Sequence, residues 1–210
     1  MLSRTLPLDG VDMQEIRWNP VLCEWVIVAS HRESRPVEPG MSTSLSCPFC
    51  PPNPEVAGEW DVKVLPNRFP LLVPDPPPPE SAGHWLYKVR RGQGVCEVVL
   101  ETREHDADLA DLPVDRLKRM LEVFTERYLE LGTKPYVKYV FIFRNKGSEI
   151  GVTLHHPHSQ IVCFPFVPPL IRRELRSSRE FMRKHQKCLF CRILNRERKL
   201  GHRTVLENES

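Results

Sequence analysis

Two cysteines, Cys47 and Cys50, lie three residues apart in the short frame CPFC. A closed structural zinc site needs four soft or borderline ligands in a tetrahedron, and a CxxC frame supplies two of them. A CxxC frame can also be a redox pair, but such a pair usually opens a helix, whereas this one lies among prolines. The sequence therefore predicts a metal site that draws its other ligands from distant segments.

Histidines are the candidates for the two missing ligands. His105 follows an apolar stretch, and His155, His156 and His158 form a cluster further along the chain. The residues alone do not select which member of the cluster binds. A second CxxC frame, CLFC at 188–191, repeats the pattern later in the chain.

The histidine cluster also carries the residues best suited to catalysis. His156 and His158 are two residues apart, and in extended backbone such positions share one face. If one imidazole is held by metal, the other can act as a positioned, neutral nucleophile. Gln160 lies two residues further on the same face, where its amide could donate to a phosphoryl oxygen.

Hydrogen-bond donors suited to phosphate lie just before the cluster and in earlier polar turns. The segment NKGSEIGVT at 145–153 offers backbone N–H groups at two glycines together with polar side chains. Arginines and amides elsewhere add donors for phosphate or ribose, although each alone could equally be a surface residue in a turn. The candidates are Arg32, Arg35, Asn67, Arg68, Asn145 and Thr153.

The residue patterns predict an antiparallel sheet with one long helix, which is the α+β class. Strands are predicted over 24–30, 94–102, 136–145 and from 153 onward, with the histidines near the start of the last one. The helix begins at Leu112–Pro113 and ends at Gly132. Its predicted apolar face consists of Val114, Leu117, Leu121, Phe124, Tyr128 and Leu131.

Charge and hydropathy exclude several classes of partner. The formal net charge is only +3, from 30 Lys and Arg against 27 Asp and Glu. The chain therefore lacks the large positive charge that is typical of proteins that bind nucleic acid. No run of eighteen apolar residues and no signal peptide is apparent, which predicts a cytoplasmic protein that does not span a membrane. In a reducing compartment the lone cysteines Cys23, Cys96 and Cys163 are predicted to be small core residues.

Five segments, taken in order, resemble the galactose-1-phosphate uridylyltransferase family of the histidine-triad superfamily. They are NPVLCEWVIVASHRESRP, CPFCPPNPE, LPNRFP, FRNKGSEIG and HHPHSQ. The resemblance implies a histidine-triad-like catalytic domain over residues 1–168. It further implies a connecting helix and the start of a second, incomplete similar half over residues 169–210.

The resemblance also implies an enzyme of galactose metabolism that exchanges UMP between UDP-glucose and a hexose 1-phosphate through a uridylyl-histidine. By motif position His158 is the nucleophile and Gln160 holds the phosphoryl group. The nucleotide would contact Arg32, Arg35, Asn67, Asn145, Gly151 and Thr153, and zinc would bind Cys47, Cys50, His105 and His156. The family likeness further implies a homodimer, and a branch of it suggests a second zinc site at Cys188 and Cys191.

Two other functions remain open on the sequence. The first is phosphorolysis of ADP-glucose or a dinucleotide by the same histidine, which would differ only in its acceptor. The second is a non-catalytic zinc module that binds another macromolecule, which would leave His158 and Gln160 unused. Attachment of a labelled nucleotide to His158 distinguishes both enzymatic functions from the module.

Overall fold

The part of the chain that carries the predicted motifs is built around one four-stranded antiparallel sheet. The computed structural model describes residues 14–30, 32, 47–51, 53–80, 83–147, 152 and 154–208. Within them the sheet has the order β3-β5-β7-β6, formed by Lys63–Pro66, Val95–Leu100, His158–Phe164 and Tyr139–Arg144. Of the two central strands, β5 and β7, the second begins at His158 of the histidine cluster.

A smaller sheet packs on one face of the larger one. It has the order β2-β1-β4, with β1 at Gln14–Asn19, β2 at Glu24–Ala29 and β4 at Val89–Arg91. Ile16 of this sheet joins Cys96 and Val162 of the larger sheet in one buried apolar cluster. Strands β1 and β4 are not predicted from the sequence. Strand β1 buries two polar residues, Gln14 and Glu15, instead of alternating apolar ones, and β4 has only three residues, two of them arginines.

The other face of the larger sheet is covered by the long helix α1, Val114–Gly132. Its contacts with β5 and β7 form the main core, in which Val99, Ile161, Leu131 and Cys163 are at most 1% exposed. The predicted α+β class, with an antiparallel sheet and a long helix, is confirmed. The strand predicted over 136–145 is shorter, since β6 begins at Tyr139.

The predicted apolar face of α1 is wrong in part. The buried residues of the helix are Met120, Val123 and Leu131, whereas the predicted residues Leu121 and Tyr128 are more than half exposed. The difference arises because the inner face includes a charged residue. Arg127 turns toward the sheet and donates from Nε to Glu97 Oε2 of β5 at 2.9 Å, with side chains only 20% and 13% exposed.

The lone cysteines divide between the core and the surface. Cys96 and Cys163 are buried, as predicted, and burial raises the pKa of the Cys163 thiol to about 11. Cys23 is exposed, so the prediction is wrong there. It lies in the turn that connects the paired strands β1 and β2, and its φ of +53° is in the left-handed region.

A second compact unit begins at Val167. It contains α2, Pro169–His185, and α3, Leu189–Leu200, and neither helix buries a residue. Both end at a left-handed residue, Gln186 and Gly201 respectively, which is a common way to terminate a helix. In the described part of the chain, none of the helices has the length and apolar character that a membrane-spanning helix needs.

Replacement of Leu131 by alanine tests the core between α1 and the larger sheet. Leu131 is 1% exposed, so Leu131→Ala should lower the free energy of unfolding by about 2–5 kcal/mol through lost burial and a cavity. Leu129 lies on the same helix but is 64% exposed, so Leu129→Ala should change it by less than about 0.5 kcal/mol. Urea unfolding of both variants measures the difference, and equal losses would contradict this assignment of the core.

Candidate active site and metal centre

Four of the predicted metal ligands meet at one point. The ligand atoms of Cys47, Cys50, His105 and His156 all lie within 4.8 Å of one another. Cys50 Sγ is 3.4 Å from His105 Nδ1 and 3.3 Å from His156 Nδ1. Zinc bonds to sulfur and nitrogen imply ligand separations of roughly 3.5 Å in a tetrahedron, so this donor set fits a zinc ion. The four residues form a group that could hold a metal.

The cysteine turn is shaped by its own local sequence. Cys50 N–H donates to Cys47 O at 3.2 Å, which closes the turn, and the Asn53 side chain donates to Pro48 O at 2.5 Å. The same Asn53 caps a short 3-10 helix, Pro54–Val56, by accepting from Glu55 N–H. Val56 is fully buried, so this helix anchors the turn against the sheet.

Burial sets the chemistry of the metal group. It raises the pKa of the Cys47 thiol to about 12 and lowers the pKa of the fully buried His156 to about 4. The imidazole is therefore neutral near pH 7 and can donate a lone pair to a metal. A bound divalent cation would supply the positive charge that stabilises a buried thiolate.

A hydrogen bond fixes which nitrogen of His156 faces the cysteines. Its Nε2 lies 2.8 Å from Thr102 O, just beyond the end of β5. A carbonyl only accepts, so Nε2 carries the proton and Nδ1 carries the lone pair that faces Cys50. Such an outer hydrogen bond both orients a metal-binding imidazole and makes it more basic.

The same logic orients His158 in the opposite sense. Its Nδ1 donates to His156 O at 2.8 Å, so in the neutral ring the lone pair is on Nε2. Phe49, between the two cysteines, packs against both rings, with centroid distances of 6.0 Å to His156 and 5.4 Å to His158. His156 therefore faces the metal group, and the backbone carbonyl of His156 holds the ring of His158.

Strand register places Gln160 and the end of β5 around His158. Leu100 lies opposite His158, and Val98 lies opposite Gln160. His158 and Gln160 therefore share one face of β7, as predicted. Both are half-buried. The apolar side chains of Val98 and Leu100 pack with the segment that follows the cysteine turn, which closes this part of the sheet.

The structure brings two of the predicted nucleotide-binding residues together. Arg32 donates from Nη1 to Phe69 O at 2.5 Å, while Asn67 Oδ1 accepts from Phe69 N–H at 2.9 Å. Asn67 N–H also donates to Cys96 O on β5 at 3.0 Å. Arg32 is therefore tied to the segment that follows β3, and Asn67 ties that segment to the central strand β5.

Other predicted residues are placed apart or lie outside the described residues. Asn145 is exposed and directly follows β6. Arg35, Gly151 and Thr153 fall outside the residues that the structure describes. Arg68, whose role the sequence left open, forms an exposed ion pair with Glu55 at 2.8 Å.

The second CxxC frame opens helix α3. Cys188 is its N-cap and Cys191 lies in its first turn, where its backbone N–H lowers the pKa of the Cys188 thiol by hydrogen bonding. In the described part of the chain, no third histidine, cysteine or carboxylate joins these two thiols in a metal-binding group.

Sequence reasoning missed three residues that hold the site together. Thr102 acts through its backbone carbonyl, which no side-chain pattern reveals. Glu101 and Ser159 hydrogen-bond to each other at 2.6 Å in the interior. The one signal in the sequence was the carboxylate of Glu101 directly after the apolar strand VCEVVL. A polar residue at the end of a predicted strand is normally assigned to the solvent.

Comparison with known proteins agrees with this architecture. Residues 5–168 match the family described as galactose-1-phosphate uridyl transferase, N-terminal domain. A galactose-1-phosphate uridylyltransferase from Thermotoga maritima is 36% identical over 94% of this chain and 60% of its own length. An ADP-glucose phosphorylase from Arabidopsis thaliana is 27% identical over 87% of this chain and 58% of its own length.

A solved structure of a uridylyltransferase superposes with a TM-score of 0.78 at 41% identity, covering 93% of this chain and 59% of that one. The chain thus spans about 60% of the length of the relatives it matches. Both the family match and the shared fold extend over the metal group and the strand that carries His158. The chain belongs to the galactose-1-phosphate uridyl transferase family and contains its N-terminal domain.

Proposed function

We propose that this chain transfers a uridylyl group from UDP-glucose to a hexose 1-phosphate, with His158 as the nucleophile. The observation that carries the proposal is the hydrogen bond from His158 Nδ1 to His156 O, because it leaves the lone pair of the neutral ring on Nε2. Similarity to proteins named galactose-1-phosphate uridylyltransferase supports the choice of substrates.

The first half of the reaction transfers the nucleotide to the protein. His158 Nε2 attacks the α-phosphorus of UDP-glucose, an N–P bond forms, and the bond from that phosphorus to the bridging oxygen breaks. The electron pair leaves with glucose 1-phosphate. Gln160, on the same face as His158, would donate its amide to the phosphoryl oxygen on which charge develops.

The second half returns the nucleotide to an acceptor. A phosphate oxygen of galactose 1-phosphate attacks the same phosphorus, the N–P bond breaks, and the electron pair returns to Nε2. The product is UDP-galactose, and His158 is regenerated. Arg32, Arg35 and Asn67 would contact the nucleotide, and Asn145, Gly151 and Thr153 would line its phosphates.

Zinc is the metal proposed for Cys47, Cys50, His105 and His156. Bound there, it would stiffen the segment that precedes β7, so its role is structural. His156 O would then present a fixed acceptor to His158. We further propose that Cys188 and Cys191 bind a second metal. Its other ligands would come from outside the residues that the structure describes.

We expect a cytoplasmic homodimer that acts in galactose metabolism, as family likeness implies. We also propose that residues 1–168 form the catalytic domain. Residues 169–210 would then form a connecting helix and the start of a second half.

Phosphorolysis of ADP-glucose is the second candidate function. Similarity to a protein named ADP-glucose phosphorylase favours it, although at lower identity. It would use the same attack by His158 and differ in the base and in an inorganic phosphate acceptor. The two candidates are separated by which nucleotide labels the histidine.

Loss of one ligand tests the metal proposal. Cys50→Ser should reduce bound zinc from about one equivalent to nearly none, since the site loses a thiolate that two histidines face. Cys23→Ser removes an exposed cysteine outside the group and should leave zinc unchanged. Metal analysis of purified protein measures both. Full zinc retention in Cys50→Ser would contradict the ligand set.

Intact-mass measurement tests the nucleophile. With UDP-glucose under non-acidic conditions the chain should gain the mass of one uridylyl group, because a phosphoramidate to histidine is stable there but labile in acid. His158→Gly should abolish the gain, and His84→Gly, a change at an exposed histidine, should not. A gain from ADP-glucose alone would favour the phosphorylase. Labelling that survives in His158→Gly would refute the assignment of the nucleophile.

A further inference from the structure

Glu101 is a fully buried carboxylate directly after β5. Ser159 Oγ donates to its Oε1 at 2.6 Å, and Arg144 Nε donates to both of its oxygens at 2.9 and 3.1 Å. A buried charge is costly unless a partner of opposite charge and hydrogen bonds offset the loss of water. These contacts provide both for the Glu101 carboxylate.

The two partners of Glu101 belong to different parts of the proposed site. Ser159 directly follows His158 in β7. Arg144 is the last residue of β6 and directly precedes Asn145, where the predicted phosphate-binding turn begins. One carboxylate therefore joins the strand of the nucleophile to the base of that turn.

Backbone contacts at the end of β5 reinforce this link. Glu101 N–H donates to Pro157 O at 3.2 Å, and the neighbouring Thr102 O accepts from His156 at 2.8 Å. The segment that holds both histidines is thus docked on consecutive residues of β5. A displacement of Glu101 would therefore reach His158 through Pro157 and Ser159, its two neighbours in the chain.

The chain of charges extends further into the turn. Arg144 Nη2 donates to Asp108 Oδ1 at 2.9 Å, and Lys146 also bonds to Asp108. The hydrogen bond from Lys146 is the main cause that lowers the pKa of Asp108 to about 2. Two carboxylates and two cations alternate from Glu101 to Lys146, so the network is neutral overall.

We propose that Glu101 is a positioning residue that holds the start of β7, where His158 lies, relative to the end of β6, which leads into Asn145, an inference that rests on the proposed function. Attack at phosphorus requires the nucleophile and the held phosphates to be aligned. A displacement of about 1 Å can cost about 100-fold in rate. Glu101 contacts neither reactant and would act through Ser159 and Arg144.

Glu101→Gln tests the proposal with little change in shape. The amide can still accept from Ser159 but no longer neutralises Arg144. The rate constant for labelling of His158 at saturating UDP-glucose should fall about 10- to 100-fold. The half-saturating concentration should change by less than about threefold, since no residue that is proposed to contact the nucleotide is replaced. Zinc content should stay at the wild-type value.

Glu122→Gln is the matched control. Glu122 forms an exposed ion pair with Arg119 at 3.3 Å on α1, so the same change of charge should leave labelling unaltered. The proposal is overturned if Glu101→Gln labels at a rate within about threefold of wild type. It is equally overturned if the loss appears only in the half-saturating concentration.

A milder variant and a second measurement keep the test decisive if Glu101→Gln folds poorly. Ser159→Ala removes one contact and leaves Glu101 paired with Arg144, so labelling should slow by about three- to tenfold. Wild-type labelling in Ser159→Ala would overturn the proposal.

Hydrogen exchange separates this proposal from the proposed function. In the folded Glu101→Gln or Ser159→Ala protein, amides in 139–147 and 158–164 should exchange faster together than in the Glu122→Gln control. Unchanged exchange in either segment would overturn the coupling. If the wild-type chain forms no adduct, the proposed function fails, whereas the exchange result still decides whether Glu101 couples these segments.

Discussion

The geometry around His158 depends on one hydrogen bond, from His156 Nε2 to Thr102 O. It turns His156 Nδ1 toward Cys50 and so joins a histidine just before β7 to a cysteine turn that is distant in the sequence. Because His156 O in turn accepts from His158 Nδ1, the two rings adopt opposite tautomers. The ring proposed to bind metal and the ring proposed as the nucleophile can therefore lie two residues apart without competing for the same role.

The sheet supplies the rigidity that this arrangement needs. The strand that carries His158 is central, with β5 on one side and β6 on the other, so both of its edges are paired. Its core-facing residues Ile161 and Cys163 are fully buried against α1. Its opposite face carries His158 and Gln160. A reactive group on such a strand is held more firmly than one on a loop.

Much of this could be predicted from residue type and spacing. The CxxC frame and the HPH triplet can each be recognised from a few adjacent residues, and the structure brings His105 and His156 to the cysteines. The long helix follows from its proline start and apolar period. The residues on its inner face are not predicted, because half-buried Arg127 lies there and pairs with Glu97, a contact that apolar periodicity cannot detect. Glu101 escaped prediction for the same reason, since its partners come from distant strands.

Nitrogen-15 NMR of the imidazoles can show whether His156, which faces the cysteines, orients His158, the proposed nucleophile. In zinc-loaded protein near neutral pH, two-bond correlations from the ring protons report which nitrogen is protonated. The structure predicts a proton on Nδ1 of His158 and on Nε2 of His156, with His156 Nδ1 shifted by the metal. A proton on Nε2 of neutral His158 would contradict this account, since the lone pair would then face the backbone of His156 instead of the substrate.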